Sequence, residues 1–184
     1  PEIEVKLSSE VSGEIIDLPI VEGQMVEKGD LLARVNPDIY QSNLQRSRAG
    51  LQNVKANYAQ SEASLKEAKS NYDRNKTLFD KGIISKAEWD QIVAAYERSE
   101  AMKTASYYSM QSAAATVTEA TDNLARTTIY APMRGTISKL DVELGERVVG
   151  TQQIAGTELM RDANLYKMQV ELDVTEDDSV KVSD

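Results

Sequence analysis

Apolar and aromatic residues recur every seven positions through the middle of the chain. One comb runs Leu44, Leu51, Tyr58, Leu65, Tyr72 and Phe79; a second runs Trp89, Tyr96, Lys103, Met110, Val117 and Leu124, with Lys103 its one charged member. A seven-residue period keeps one stripe of a helix against a partner helix, which is coiled-coil packing. Positions in the two combs pair to a constant sum of 168, from Phe79 with Trp89 to Leu44 with Leu124. That relation predicts two antiparallel helices folded about residues 82 to 84. Each arm spans roughly 40 residues, or about 60 Å at 1.5 Å per residue.

The residues between and around the combs agree with this reading. Lys81 followed by Gly82 makes a helix end with a glycine ready for the left-handed cap. Ser85 with Glu88 forms a capping box for the second helix, and Ile84 with Trp89 occupies the two positions of a hydrophobic staple. Asn36 is expected to cap the first helix, with Pro37 in its first turn. All four prolines and seven of the nine glycines lie outside Asp38 to Ala131, and Pro132 ends helical structure after about Arg126.

The flanks read as short strands punctuated by glycine: Val11 to Leu18, Leu31 to Val35, Thr128 to Ala131, Thr136 to Leu140 and Tyr166 to Val174. They also repeat. A shift of 122 residues superposes Gly13 on Gly135, Ile15 on Ile137, Leu18 on Leu140, Gly23 on Gly145 and Val26 on Val148, and sets Ile20 against Val142. Two quasi-equivalent half-modules follow. Neither buries its apolar face alone, so the hairpin must return the chain for the second to complete the first.

Composition narrows the chemistry. The 184 residues contain no Cys and no His, which removes thiol nucleophiles, imidazole acid–base catalysis, Ser–His couples and Cys/His zinc cages. The net charge of −9 argues against nucleic-acid binding. Between Asp38 and Ala131 the charges nearly balance, 12 basic to 11 acidic, leaving 9 basic and 19 acidic residues in the flanks. No Gly is followed by Lys, so a Walker-type phosphate loop is absent. No stretch is apolar enough to span a bilayer as a helix. With only 5% aromatic residues, an elongated molecule without a thick core is expected, and any catalysis would rest on carboxylates, Lys or Tyr.

The segment V-S-G-E-I-I-D-L-P-I-V-E-G-Q-M-V-E-K-G-D-L-L-A-R-V from Val11 resembles the first half of a biotinyl/lipoyl domain, and I-Y-A-P-M-R-G-T-I-S-K-L-D-V-E-L-G-E-R-V from Ile129 resembles its counterpart. A lipoyl-like fold split by a long α-hairpin is similar to the periplasmic adaptors, the membrane fusion proteins of the haemolysin-D-like family, and among them to the macrolide-efflux type. The resemblance implies an elongated α+β fold. A lipoyl-like β-sandwich (residues 1–36 and 128–165) would carry an inserted coiled-coil hairpin (37–127), and residues 166–184 would open a β-barrel domain. It implies no cofactor and no enzymatic activity. The implied partners are an inner-membrane transporter, ABC-type rather than proton-driven, an outer-membrane channel, and further copies of the chain, as a hexamer. The setting is the periplasm, with an inner-membrane anchor outside this chain. The alternatives are a structural or signalling coiled-coil protein with a β head, or a lipoyl-type carrier. Against the carrier, Ile39 stands where the modified lysine belongs, and no Lys occurs between Lys28 and Lys55.

Channel-docking adaptors of this family carry at the hairpin tip an Arg, a Leu four positions on and a Ser seven further. Arg74, Leu78 and Ser85 stand at that spacing. Leu78 neighbours the core position Phe79, and Ser85 serves equally as a helix cap, which leaves Arg74 without a structural role. Gln152 and Gln153 follow the second half-module; they are polar loop residues, or, by the resemblance, the lining of an axial opening in the assembled adaptor. Lys103 is expected to pack its stem in the seam with its ammonium reaching solvent. The acidic tail E-L-D-V-T-E-D-D-S lacks the Gly and terminal Glu of an EF-hand loop. The six Met residues share no helical face, so no metal site is expected.

Overall fold

The computed structural model describes residues 4–150 and 156–163. The chain divides into two compact units, one of residues 37–125 and one of residues 1–36 with 126–184. The expected strand at Tyr166 to Val174, with the expected start of a β-barrel domain, lies outside the described residues.

The first unit is the hairpin, helix α1 (Asp38–Asp80) and helix α2 (Lys86–Ala125). The layers nearest the turn follow the constant sum. Phe79 and Trp89 stack with ring centroids 5.3 Å apart, and Tyr72 lies 5.0 Å from both Tyr96 and Trp89. Further from the turn the long Tyr58 side chain reaches Tyr107, 6.0 Å away. A second stripe accompanies each comb at a three-residue offset. On α1 it is Ser47, Val54, Ser61, Ala68 and Asn75, and on α2 Ile92, Ser99, Ser106, Ala113 and Ala120, all buried or half-buried. The seam therefore alternates large and small side chains, as interdigitating layers require. Ser61 is buried, and its hydroxyl donates to the Tyr58 carbonyl (2.7 Å), which leaves no orphaned polar group in the seam at that point.

Pro37, not Asn36, stands at the N-cap of α1, and its carbonyl accepts the Gln41 amide (2.8 Å). The Asn36 amide donates to the Glu14 carbonyl of the β unit (2.8 Å). Among the described residues no helix is long and apolar enough to cross a membrane.

Among the described residues the second unit holds two four-stranded sheets. One has the order β1 (Glu4–Ser8), β8 (Glu158–Ala163), β6 (Gly135–Leu140), β3 (Met25–Val26). The other runs β5 (Thr128–Tyr130), β4 (Leu31–Val35), β2 (Gly13–Asp17), β7 (Arg147–Val148). Fully buried Ile15, Val26, Leu32, Val35, Ile137, Val148 and Leu159 supply the core. The expected strand from Val11 begins only at Gly13, because Ser9 and Ser12 turn the chain first. The Ser9 hydroxyl donates to the Val11 carbonyl (2.5 Å), and the Ser12 hydroxyl to that of Gly150 (3.0 Å).

The half-module repeat is realised as an exchange of strands. β2 of the first half pairs with β7 of the second, Gly13 opposite Val148 and Glu14 opposite Arg147. β6 of the second half pairs with β3 of the first, Gly135 opposite Val26 and Thr136 opposite Met25. Every partner in one pairing is the other's shifted by 122. The loops obey the same relation: Ile15 N–H to Glu146 O (2.9 Å) matches Ile137 N–H to Gln24 O (3.0 Å), and Gly145 N–H to Ile15 O matches Gly23 N–H to Ile137 O, both 2.8 Å. Gly23 and Gly145 both adopt left-handed backbone, at φ 81° and 85°, which a side chain at either turn would strain. In this pseudo-twofold arrangement each half supplies a strand to the other's sheet.

β4 and β5, the strands that lead into and out of the hairpin, pair antiparallel with Leu31 opposite Tyr130 and Arg34 opposite Thr128. The Val35 amide extends that ladder to the Thr127 carbonyl (2.7 Å).

Candidate functional site

The turn of the hairpin is built by backbone hydrogen bonds. The Gly82 amide donates to the Phe79 carbonyl and the Ile83 amide to the Leu78 carbonyl, both at 2.9 Å, with Gly82 at φ 69°. These two bonds with a left-handed glycine are a Schellman motif. The capping box closes the other side. The Ser85 amide and hydroxyl both donate to Glu88 Oε2 (2.9 Å each), and the Glu88 amide donates to Ser85 Oγ (3.3 Å). The Ser85 amide, followed by its hydroxyl, holds the Glu88 carboxyl below its ordinary range.

The three tip residues are thus placed differently. Leu78 is half-buried and its carbonyl belongs to the helix stop; Ser85 is exposed and engaged in the cap. Arg74 is exposed and makes no hydrogen bond or ion pair among the described residues. Ile83, at the apex, is 64% exposed, an apolar tip residue that the periodicity passes over because it belongs to neither comb.

Lower on the hairpin, Lys103 finds a partner that its comb position conceals. Its ammonium, expected in solvent, lies 3.1 Å from Glu62 Oε1 and 5.9 Å from the Tyr58 ring centroid. The Tyr58 hydroxyl donates to the same Glu62 oxygen (2.9 Å). Glu62 is held below its ordinary value, first by Lys103 and then by Tyr58, and Lys103 is raised chiefly by Glu62. Glu62 is one turn before Leu65, the residue opposite Lys103 by the constant sum.

Gln152 and Gln153 lie outside the described residues, but the stem of their loop does not. The Thr157 amide donates to the Val149 carbonyl (2.8 Å), and the Val149 amide to Thr157 Oγ1 (3.1 Å). The Gly150 amide donates to Ser12 Oγ (3.1 Å), and the Ser9 amide to the Thr157 carbonyl (3.0 Å). Gly150 and Gly156 pack so closely on the Ser9 carbonyl that a Cβ at either would lie 2.2 or 1.8 Å from its oxygen. The loop leaves a closed, hydrogen-bonded stem.

Known proteins with this geometry form a consistent group. The crystal structure of MacA from Actinobacillus actinomycetemcomitans superposes with a TM-score of 0.81 at 27% identity, covering 88% of this chain and 49% of that one. The macrolide export protein MacA of Yersinia pestis is 27% identical over 178 residues, 97% of this chain and 47% of that protein. The multidrug export protein AcrE of Escherichia coli is 30% identical over 173 residues, 94% of this chain and 40% of that protein. The chain spans about half the length of the first of these relatives or less of the other. Residues 3–157 match the family described as RND MFP, barrel-sandwich hybrid domain. With a split pair of four-stranded sheets and an inserted helical hairpin matched over most of its length, the chain belongs to that family of membrane fusion proteins.

Proposed function

We propose that this chain is the hairpin-bearing part of a periplasmic adaptor in a tripartite efflux or secretion system, where it joins an inner-membrane transporter to an outer-membrane channel. The observation that carries this reading is the double-capped hairpin, arms of 43 and 40 residues, inserted between the two halves of a barrel-sandwich unit. Hairpin length and the likeness to MacA favour an ABC-type transporter over a proton-driven pump. The adaptor acts as an oligomer, a hexamer by the same resemblance. Its role is to connect and seal, and its substrate follows from the transporter.

In this reading Arg74, Leu78 and Ser85 dock on the channel, and Gln152 with Gln153 line the axial opening from the stem at Val149 and Thr157. Arg74 separates docking from folding, because Ser85 has cap duty under either reading. A solvated helical charge is reversed at a cost within roughly 0.5 kcal/mol, whereas reversal against a channel acceptor turns attraction into repulsion. Arg74→Asp in the full-length protein should leave melting nearly unchanged while export and tip-to-channel crosslinking both fall. Wild-type export and crosslinking would remove Arg74 from the docking surface. An adaptor role itself fails if deleting the gene leaves export intact and the full-length protein crosslinks to neither transporter nor channel.

A further inference from the structure

Midway along the hairpin is a cleft of about 280 Å³, lined by Tyr58 and Leu65 of α1 and by Glu100, Thr104, Tyr107 and Tyr108 of α2, with Lys103 on its wall. Glu100, Thr104, Tyr107 and Tyr108 follow one another at four, three and one positions, so α2 presents them on one face. The Tyr107 and Tyr108 rings meet edge to face at 5.6 Å and 70°, and Tyr58 and Tyr107 are tilted by 56° at 6.0 Å. Three rings at mutual angles form an open aromatic corner. Tyr107 is 39% exposed and Tyr108 63%, so that corner faces solvent within the hairpin unit.

The charges select the sign of an occupant. Lys103, the one cation on the wall, is already engaged by Glu62 at 3.1 Å, and the Tyr58 hydroxyl donates to the same carboxylate at 2.9 Å. The Glu100 carboxylate makes no hydrogen bond or ion pair among the described residues. Glu62, just outside the lining, balances Lys103, whose ammonium already lies over the Tyr58 ring, so the Glu100 carboxylate leaves one net negative charge beside Tyr107 and Tyr108. Aromatic faces attract cations through the ring quadrupole, and a neighbouring unpaired carboxylate adds to that attraction. The volume, just under the roughly 300 Å³ at which drug-sized ligand sites begin, suits a smaller molecule, and Leu65 supplies an apolar wall. We infer that this cleft binds a small organic monocation, a quaternary or protonated amine carrying an apolar group, with its charge between Glu100 and the Tyr107–Tyr108 corner.

The test titrates the 184-residue chain, ring-labelled at tyrosine, with benzyltrimethylammonium while tyrosine ring signals are followed by NMR. Benzyl alcohol serves as the neutral control and benzylsulfonate as the anionic one. Saturable shifts are expected at Tyr58, Tyr107 and Tyr108 with the cation alone. Glu100→Gln and Tyr108→Leu should each raise the Kd about threefold to fivefold with unchanged melting. Equal binding of either control, shifts at other tyrosines, or a Kd unmoved by both substitutions would overturn the inference. So would shifts of the same three tyrosines on simple dilution, which would assign the cleft to a second copy of the chain.

Discussion

Gly150→Ala tests whether the stem beneath Gln152 and Gln153 is as tightly seated as its hydrogen bonds indicate. The added methyl would lie 2.2 Å from the Ser9 carbonyl oxygen, 2.7 Å from its carbon and 2.8 Å from the Val11 nitrogen, where ordinary contact begins near 3.4 Å. Gly150 has no left-handed backbone to strain, so the cost is steric. Relief needs a movement of about 1.2 Å, and neither side is free to give. Ser9 is buried and bonded to Thr157 and Val11, and Gly150 is bonded through both backbone groups to Ser12. Overpacking costs about 1–3 kcal/mol, and rigid backbone on both sides puts this case near about 3. In a unit of this size about 1 kcal/mol moves Tm by about 4–8 °C, so a fall of roughly 12–24 °C is expected for the β unit. Amide exchange read on peptides covering β2 and β6 resolves it from the hairpin, whose helical peptides should stay protected. Gly50→Ala is the matched control: it sits mid-helix with nothing within 4 Å of the new methyl and should stabilise α1 by about 0.5–1 kcal/mol. If Gly150→Ala exchanges like the parent protein, the stem is loose and the steric argument fails.

Leu51→Asp puts a charge in the half-buried seam and should lower hairpin stability by about 3 kcal/mol or more; unchanged helicity and melting by circular dichroism would refute the heptad register. Ile15→Ala and Ile137→Ala remove equivalent, fully buried side chains of the two half-modules, so urea unfolding should show similar losses, each within about 2–5 kcal/mol. The Glu88 carboxyl titrates below its ordinary value in the folded cap. Its contribution is therefore complete above the unfolded carboxylate pKa and fades as pH falls through the lower folded value. A carboxyl-carbon NMR titration should show that depression in the parent and a smaller one in Ser85→Ala, which keeps the amide's bond to Glu88 and loses the hydroxyl's.

How much of this was readable in advance depended on how local each signal is. The large-residue combs, the glycine stop and the Ser85–Glu88 box are written in short-range spacing, and each appears in place. The small-residue stripe is not legible as hydrophobic pattern, because Ser47, Ser61, Ser99 and Ser106 are polar by any scale and are covered, Ser61 to the point of burial and the others in part, by the closeness of the partner helix. The repeat identified equivalent positions, yet sequence equivalence cannot say whether β2 closes on β3 of its own half or on β7 of the other. That choice is made by the sheet as a whole. β3 and β7, at two residues each, carry no periodicity to read, and β1 and β8 are defined by pairing with strands far away in the chain. At the tip the three-residue spacing was visible, but only hydrogen bonds separate Arg74 from its two structurally occupied companions.

The pairing of β4 with β5 also bears on how such a chain folds and how its length can vary. Closing the roughly 90 residues between them as free chain would cost about 4 kcal/mol in entropy, beyond a constant term. A hairpin that zips from Gly82 collapses that loop, since its two antiparallel arms end side by side. The slow, non-local step, exchange of strands between the half-modules, then begins with its ends already gathered. The same junction makes the arms a ruler of adjustable reach. Seven residues added to each arm lengthen it by about 10 Å while returning the seam to the same face, and the strands at its base meet the same two chain ends.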